Sequence, residues 1–281
     1  MQRLARLFLV LALVCRPGWA WSADWIRGDF SDWTREDKAF WLNLGVGAVA
    51  LGWGAWSWDW GTSGPRFQDE GWFGRTTTEG GADKLGHAWS GYAISHLFAN
   101  RYEHFGYSRT EAARYGALSS LGVMGLIEVG DAFSDDYGFS YQDMLFNVAG
   151  AALGYLLWEY PEIKRKVDFR AEYDPFPSGK RQVDITTDYQ RTKYLLAVKA
   201  DGFDAIENPW LKHLEFHVGY YARNYAEYQP GSADQRERHL YIGLGLNLTK
   251  LLSPHVNTGG VLNYVQVPYT YVTLDRNLDQ R

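Results

Sequence analysis

The sequence predicts an α+β fold in which an N-terminal bundle of about four helices, associated with a membrane, precedes a small antiparallel β-sheet. Two observations separate the halves: apolar residues recur at helical spacing before about residue 168 and alternate with polar residues after it. A third points to the membrane, since the 20 residues at 39–58 carry no charge. We therefore expect three regions, at 1–22, 23–167 and 168–281.

The first region, residues 1–22, has the pattern of a secretory signal peptide. Arg3 and Arg6 precede an apolar run at 7–14 that is too short to span a bilayer permanently. Cys15 is the single cysteine of the chain, so no disulfide framework can form. Its lipid attachment remains open, because Val14 before it is larger than such a motif favours. The sequence thus predicts export to the periplasmic side of the cell envelope, without indicating which membrane.

Four helices are expected in the second region. They cover 39–58, Asp83 to about His104, about Arg109 to Asp131, and Ser140 to Trp158. The first has the length to cross a bilayer, to lie on its surface or to form a buried core helix. Ser108 and Glu111 form a capping box that starts the third helix. Gly150 and Gly154, four residues apart, predict that helices approach each other closely.

The third region contains residues that alternate between apolar and polar. The runs are Tyr194 to Val198, Leu214 to Tyr220, Leu240 to Leu248 and, as a possible fourth strand, residues 262–272. Pro268 assigns part of the fourth run to a sheet edge. Three or four strands are too few to close a membrane barrel. We therefore expect an antiparallel sheet with one face packed on the helices or on a membrane.

Composition limits the partners. The formal net charge is −5, which excludes a broad nucleic-acid-binding surface. Aromatic residues are abundant, with 13 Trp, 19 Tyr and 14 Phe, and aromatic rings with one polar tip suit a membrane–water interface. A membrane lipid or an envelope protein is therefore the expected partner, and oligomerisation stays open.

Seven polar residues stand near one end of three otherwise apolar helices. They are Asp83, Lys84, His87, Glu128, Asp131, Asp143 and Asn147. Because burying an unpaired charge costs several kcal/mol, these groups should converge on each other or on water. The cluster is either a buried polar network that fixes helix packing or a site for acid–base chemistry.

Each interpretation assigns different roles to the same residues. In the structural one, Asp83 is a first-turn acid, Lys84 forms a salt bridge and Asn147 makes an interhelical hydrogen bond. In the catalytic interpretation, His87 is a general base oriented by Asp83, and Lys84 stabilises a phosphate or an oxyanion. Glu128 or Asp143 is then the acid.

The sequence contains no cofactor-binding motif and no established metal-ligand spacing, so no cofactor or metal is expected. A metal site would have to draw its ligands from this set of His87 and four carboxylates: Asp83, Glu128, Asp131 and Asp143. A set composed mostly of carboxylates would favour a hard ion over zinc.

Three strings carry a resemblance to a known family. GGADKLGH, then Glu128-Val-Gly-Asp131, then YGFSYQDMLFNVAGAALGY at 137–155 resemble the YfiM-like family of predicted periplasmic lipoproteins, over roughly residues 40–165. Their order is more distantly similar to that of VanZ-like membrane proteins. The resemblance implies a helical envelope domain of unestablished activity. Its motif positions are Asp83, Lys84, His87, Glu128, Asp143 and Asn147.

Three functions follow, and they are distinguishable. The preferred one is a non-enzymatic envelope component that holds a lipid or a protein partner, which requires mutually paired polar groups without a cavity. The alternative is a hydrolase or transferase acting on a lipid or cell-wall intermediate, which requires the same groups to line an accessible pocket. The third is an outer-membrane β module, which would expose an unbroken apolar face about four strands wide.

Overall fold

The computed structural model describes residues 32–174, 186–226, 228–252 and 260–280. The signal peptide and Cys15 lie outside these residues. The α+β prediction is confirmed, since helices occupy the first half and an antiparallel sheet the second. The helices are α1 (Arg35–Ser57), α2 (Ala82–His104), α3 (Arg109–Asp131), α4 (Tyr141–Glu159) and the short α5 (Pro161–Lys164).

Side-chain caps fix where the helices start. The Ser108 hydroxyl accepts a hydrogen bond from the Glu111 amide, and the Glu111 carboxylate accepts one from the Ser108 amide, so the predicted capping box is present. Ser140 caps α4 by accepting from the Asp143 amide. Gly81 precedes α2 with φ 88°, a left-handed conformation that suits glycine. These starts place Asp83 and Asp143 in first turns.

Helix α2 is the centre of the bundle, and small residues let its neighbours approach it. A Cβ atom on Gly150 of α4 would collide with the backbone of Ala88, and one on Gly154 would collide with Ser95. The close approach predicted at these two glycines is therefore confirmed. Gly122 on α3 has no neighbouring atom within 4 Å of the position a Cβ would take, so it makes no such contact among the described residues.

Helix α1 is long and apolar enough to cross a membrane, judged by length and composition alone. Only 6% of its most apolar 18-residue window is buried against the rest of the protein, and Trp53 and Trp56 are exposed near its end. The exposure argues against the buried core helix that was one alternative.

The sheet is a five-stranded antiparallel meander in the order β1-β2-β3-β4-β5. Its strands are β1 (Val167–Tyr173), β2 (Thr192–Lys199), β3 (Leu214–Arg223), β4 (Glu237–Leu246) and β5 (Tyr271–Asn277). Helix α6 (Leu248–Leu252) follows β4, so the predicted third run ends two residues early. The fourth strand predicted at 262–272 is wrong over most of its length, since its first residues belong to a 3₁₀ helix (Val261–Asn263) and β5 begins only at Tyr271.

Strand β1 was missed, although its sequence VDFRAEY alternates apolar and charged residues. Its outer edge is covered by the chain before β5: the Ala171 amide donates to the Tyr264 carbonyl, and the Gln266 amide donates to the Ala171 carbonyl. Within the same segment, Tyr264 accepts a hydrogen bond from the Trp89 indole of α2 at 3.0 Å. One segment therefore joins the sheet to the helical bundle.

The sheet carries its charges inside. Arg170 forms two hydrogen bonds with Glu215, at 2.7 and 3.0 Å, and a third with Asp168 at 2.8 Å. Glu215 also pairs with His217, which is fully buried. Paired charges therefore occupy part of this interior, beside the packed Leu195, Ala197 and Tyr241.

The opposite face is apolar, and across β2–β5 it is exposed. Two adjacent rows in register form what we call the apolar sheet face: Leu196, Val218, Ile242 and Leu274 in one, and Phe216, Leu244 and Val272 in the other. All seven are at least 39% exposed. This arrangement reverses the usual pattern of a sheet that packs on a core.

Candidate functional site

The seven candidate residues converge at the end of the bundle where α2 and α4 begin and α3 ends. Helix α2 supplies Asp83, Lys84 and His87, helix α3 supplies Glu128 and Asp131, and helix α4 supplies Asp143 and Asn147. Because α2 and α4 run in the opposite sense to α3, residues distant in sequence share this end. The convergence expected from the cost of burying charge is thus observed.

Lys84 is the centre of an ionic cluster. Its ammonium is 2.6 Å from Asp83 Oδ2, 2.9 Å from Asp143 Oδ1 and 2.6 Å from Glu70 Oε2. The side chain is only 1% exposed. Burial lowers the pKa of Lys84, but the three carboxylates outweigh it, so the pKa is raised and Lys84 stays charged. Lys84 therefore holds carboxylates together and does not line the open space.

His87 lies between α3 and α4. Its Nδ1 is 3.1 Å from Asn147 Oδ1 and 3.3 Å from Glu128 Oε1. Its Nε2 is 4.0 Å from Asp143 Oδ2, which is beyond hydrogen-bond distance. Asn147 also donates to Glu128 Oε1 at 3.2 Å. The ring is therefore fixed on its Nδ1 side and separated from Asp143 by a gap on its Nε2 side.

The carboxyl groups have divergent proton affinities. Burial raises the pKa of Glu128 to about 7 and that of Asp131 to about 6. Burial, together with the hydrogen bond to Asp143 and the charge of that residue, raises the pKa of Glu70 to about 9. For Asp143, burial is outweighed by His87, Glu70 and Lys84, and the pKa is lowered. Buried acids with separated pKa values are a feature of acid–base sites.

His87 holds a proton more strongly than an ordinary histidine. Burial by itself lowers its pKa, but the charges of Asp143 and Glu128 outweigh burial, and the pKa is raised. Asp131 is held by the indole of Trp60, whose Nε1 donates to Asp131 Oδ1 at 2.7 Å. This hydrogen bond lowers the Asp131 pKa and so opposes the effect of burial.

A cavity of about 340 Å³ opens beside these groups. Asp83, His87, Glu128, Asp131 and Asp143 line it, whereas Lys84 and Asn147 lie behind its wall. Its remaining acidic lining residues are Glu70, Glu79 and Asp136, and its apolar ones include Trp58, Ile94, Met124 and Ile127. Thr186, Thr187 and Tyr189 contribute from the strand half of the chain. The polar network therefore borders open space.

Several positions differ from the roles expected from sequence. Asp83 pairs with Lys84 and not with His87, whose ring is held by Asn147 and Glu128. Asp83 does occupy the first turn of α2, and Lys84 does form a salt bridge with Asp143, as the structural interpretation predicted. Asp83 and Lys84 therefore have the structural roles predicted for them, and a cavity lies beside them as well.

Sequence reasoning missed Glu70 and Trp60. Both lie in or beside the glycine-rich segment before α2, in which no periodicity marks an inward-facing residue. Tyrosines of the strand half hold this segment in place: the Tyr220 hydroxyl donates to the Gly80 carbonyl, and the Tyr225 hydroxyl donates to the Arg75 carbonyl. An acidic residue in a loop preceding a motif is too common to be singled out from one sequence.

Two groups of potential metal ligands occur within the described residues. One consists of His87, Glu128 and Asp143, the other of Glu70, Asp83 and Asp143, and the ligand atoms of each group lie within 4.8 Å of one another. The second group is already bridged by the Lys84 ammonium. In the first group Lys84 contacts Asp143, through Oδ1 at 2.9 Å.

Comparison with known proteins identifies one similarity. Residues 69–159, about a third of the chain, match the family described as "Predicted periplasmic lipoprotein (DUF2279)". This match contains all seven candidate residues and confirms the first resemblance drawn from the sequence, while the VanZ-like resemblance stays a prediction. No curated protein and no solved structure matches the chain significantly.

Proposed function

Because residues 69–159 match a family of predicted periplasmic lipoproteins, we propose that the chain is a cell-envelope enzyme, a hydrolase or transferase acting on a lipid or cell-wall intermediate. One observation carries the proposal: His87, Glu128, Asp131 and Asp143 line a single cavity of about 340 Å³. A network whose only role was helix packing would have no need of open space beside it.

The proton carriers are Glu128 and Asp131. With pKa values of about 7 and about 6, both can donate and accept protons near neutral pH, which is the condition for efficient general acid–base catalysis. They lie three residues apart on α3 and therefore share a helix face. Such groups contribute roughly 10²- to 10⁴-fold to a reaction rate.

Hydrolysis at this site requires two proton transfers. A water molecule gives one proton to a carboxylate as its oxygen bonds to the carbonyl carbon or phosphorus of the substrate. The bond to the leaving oxygen then breaks, and that oxygen receives a proton from a carboxyl group. The reacting group would be held in the cavity, which His87 and Asp143 both line.

Rigid support favours catalysis over loose binding. Glu128 accepts hydrogen bonds from the Ser140 amide at 3.3 Å and from Asn147 at 3.2 Å. Lys84 fixes Asp143 from behind. Reacting groups held on helices by such contacts need little reorganisation during the reaction.

The test is a product assay with the purified full chain in detergent. Candidate substrates are a lipid-linked pyrophosphate, a phospholipid and peptidoglycan fragments, with release of phosphate, fatty acid or sugar and peptide as readouts. We expect turnover of one class and at least a 100-fold lower kcat for Glu128→Gln and Asp143→Asn.

Asp136→Asn is the matched control, since Asp136 lines the same cavity but is exposed. It should retain most of the activity. Turnover of none of the three classes, or equal loss in Asp136→Asn and Glu128→Gln, would refute the catalytic assignment.

A second candidate, an outer-membrane β module, is favoured by the apolar sheet face. Its seven exposed apolar side chains span four strands, which is the width that this function requires. Strands β3 and β4 are each 10 residues long, within the range of bilayer-spanning strands. In this case the face would bury itself in lipid, and the cavity would stand beside the membrane.

Fluorescence quenching by brominated phospholipids tests the second candidate, because α1 could by itself keep the chain on vesicles. In a Cys15→Ser background, a fluorophore on Leu274→Cys should be quenched, whereas one on Thr273→Cys, on the opposite face of β5, should not. Absence of quenching at residue 274 would show that the apolar sheet face does not contact lipid.

A further inference from the structure

We infer that the cavity binds a divalent cation through His87, Glu128 and Asp143. The three residues come from three different helices, and one ligand atom of each lies within 4.8 Å of the other two. An ion bound at 2.0–2.6 Å from each ligand requires ligand atoms no more than about 4–5 Å apart. The spacing therefore fits one ion with only small side-chain adjustments.

The charge around this position favours a cation. Six buried or partly buried carboxyl groups line the cavity, from Glu70, Glu79, Asp83, Glu128, Asp131 and Asp143. Among the described residues that line it there is no lysine or arginine. Lys84 pairs with Asp83 and Asp143, but it is 1% exposed and is not among the residues that line the cavity. Carboxylate oxygens are the ligands that hard divalent cations prefer, and a bound ion offsets the charge of the carboxylates that hold it.

An unpartnered oxygen points to a ligand in the same cavity. Asp83 is 6% exposed and lines the cavity, and its Oδ1 has no hydrogen-bond partner among the described residues. A buried carboxylate oxygen in this state carries a desolvation penalty of the order of a few kcal/mol. A bound ion with its remaining water ligands would supply the missing donor.

The groups behind the ligands resemble those that orient ligands in metal sites. Asn147 contacts His87 Nδ1 at 3.1 Å, which fixes the ring and leaves Nε2 directed towards Asp143. Asn147 and the Ser140 amide also hold the Glu128 carboxylate. Partners of this kind set the orientation of metal ligands and their mutation weakens metal binding by roughly 10- to 100-fold.

One imidazole and two carboxylates suit Mn²⁺ or Mg²⁺, with Zn²⁺ a chemically possible competitor. This inference rests on the proposed function only in naming a substrate: a phosphate-bearing envelope intermediate, which the carboxylates alone would repel. A bound divalent ion polarises a phosphoryl oxygen and lowers the pKa of a bound water.

The test is direct metal binding to the chelator-treated full chain in detergent, by titration calorimetry with Mn²⁺, Mg²⁺ and Zn²⁺ and by electron paramagnetic resonance of Mn²⁺. We expect one ion per chain, and at least 30-fold weaker binding in His87→Gln and Glu128→Gln. Asp136→Asn should bind as tightly as the natural sequence. Circular dichroism shows which variants fold, and either ligand variant alone is sufficient for the comparison.

Absence of stoichiometric binding to the natural sequence, or equal weakening in Asp136→Asn, would overturn the metal site. Its failure is distinguishable from failure of the proposed function. Turnover that persists in chelator, without metal binding, would support the catalytic function and overturn the metal site. Stoichiometric metal binding without turnover of any substrate class would support the metal site and overturn the catalytic function.

Discussion

The pKa of Glu128 makes a quantitative prediction about stability. Glu128 is 1% exposed, and burial raises its pKa from 4.5 to about 7 in the folded chain. Each pKa unit corresponds to about 1.36 kcal/mol, so this rise corresponds to about 3 kcal/mol. The perturbation is Glu128→Gln, which keeps the shape of the side chain and removes the titration.

The sign follows from proton linkage. Below pH 4.5 the carboxyl group is protonated in both folded and unfolded chains and has no pH-dependent effect. Between pH 4.5 and 7 the folded chain binds more protons than the unfolded one, so the stability of the natural sequence falls as the pH rises. Relative to Glu128→Gln, the natural sequence should therefore lose about 3 kcal/mol between pH 4 and pH 8.

Urea unfolding of both proteins at several pH values, in detergent with a chelator, measures this difference. Glu111→Gln is a control of opposite sign, because hydrogen bonds from the Ser108 amide and hydroxyl lower the Glu111 pKa. The stability lost in Glu111→Gln should be greatest above the pKa that Glu111 has in the unfolded chain. It should disappear as the pH falls below the pKa that Glu111 has in the folded chain. If the difference in unfolding free energy between the natural sequence and Glu128→Gln changes by less than about 1 kcal/mol from pH 4 to pH 8, the reasoning is refuted.

Three further predictions concern the surroundings of the cavity. Lys84→Met should destabilise the chain by about 3–5 kcal/mol in urea unfolding, because it leaves three carboxyl groups without their ammonium; a loss below about 1 kcal/mol would contradict this. Gly150→Ala should cost about 1–3 kcal/mol, since its Cβ would meet the α2 backbone, whereas Gly122→Ala has free space and should gain about 0.5–1 kcal/mol. Similar melting temperatures for the two variants would exclude close packing at Gly150. Trp60→Phe should raise the Asp131 pKa above about 6 by removing a hydrogen bond to its carboxylate. An NMR titration that finds the Asp131 pKa unchanged in Trp60→Phe would contradict the role of the indole in lowering that pKa.

The helical half could be predicted because its signals are local. The capping box of Ser108 and Glu111 and the cap at Ser140 place helix starts within a few residues of sequence. The spacing of Asp83 and His87, and of Asp143 and Asn147, then fixes which side chains share a helix face. The rule that buried charges must meet partners predicted convergence without any tertiary information.

The pairings within the site could not be predicted in the same way. Glu70 joins Lys84 from a loop that is held by residues distant in sequence: the Gln68 amide donates to the Phe139 carbonyl, and the Tyr220 hydroxyl donates to the Gly80 carbonyl. Asp83 pairs with its neighbour Lys84 and not with His87, because the rotation of α2 directs Lys84 towards both Glu70 and Asp143. Which side chains border open space is likewise a property of how three helices pack.

The strand half shows the same division. Alternation of apolar and polar residues predicted strands, and it was present but overlooked in β1. Alternation does not say which face is inside, since both faces of a strand have the same period. The structure buries Arg170, Glu215 and His217 and exposes the apolar sheet face, against the usual expectation.

By itself, then, the sequence determined that helices precede strands, where α3 and α4 start, and seven members of the polar cluster. Each of these depends on interactions among residues close in the chain or on the cost of burying a charge. The tertiary structure decided which carboxylates contact Lys84, that a cavity lies beside His87, and that the sheet turns its apolar face outward. These outcomes depend on the relative placement of elements far apart in sequence, which no local pattern encodes.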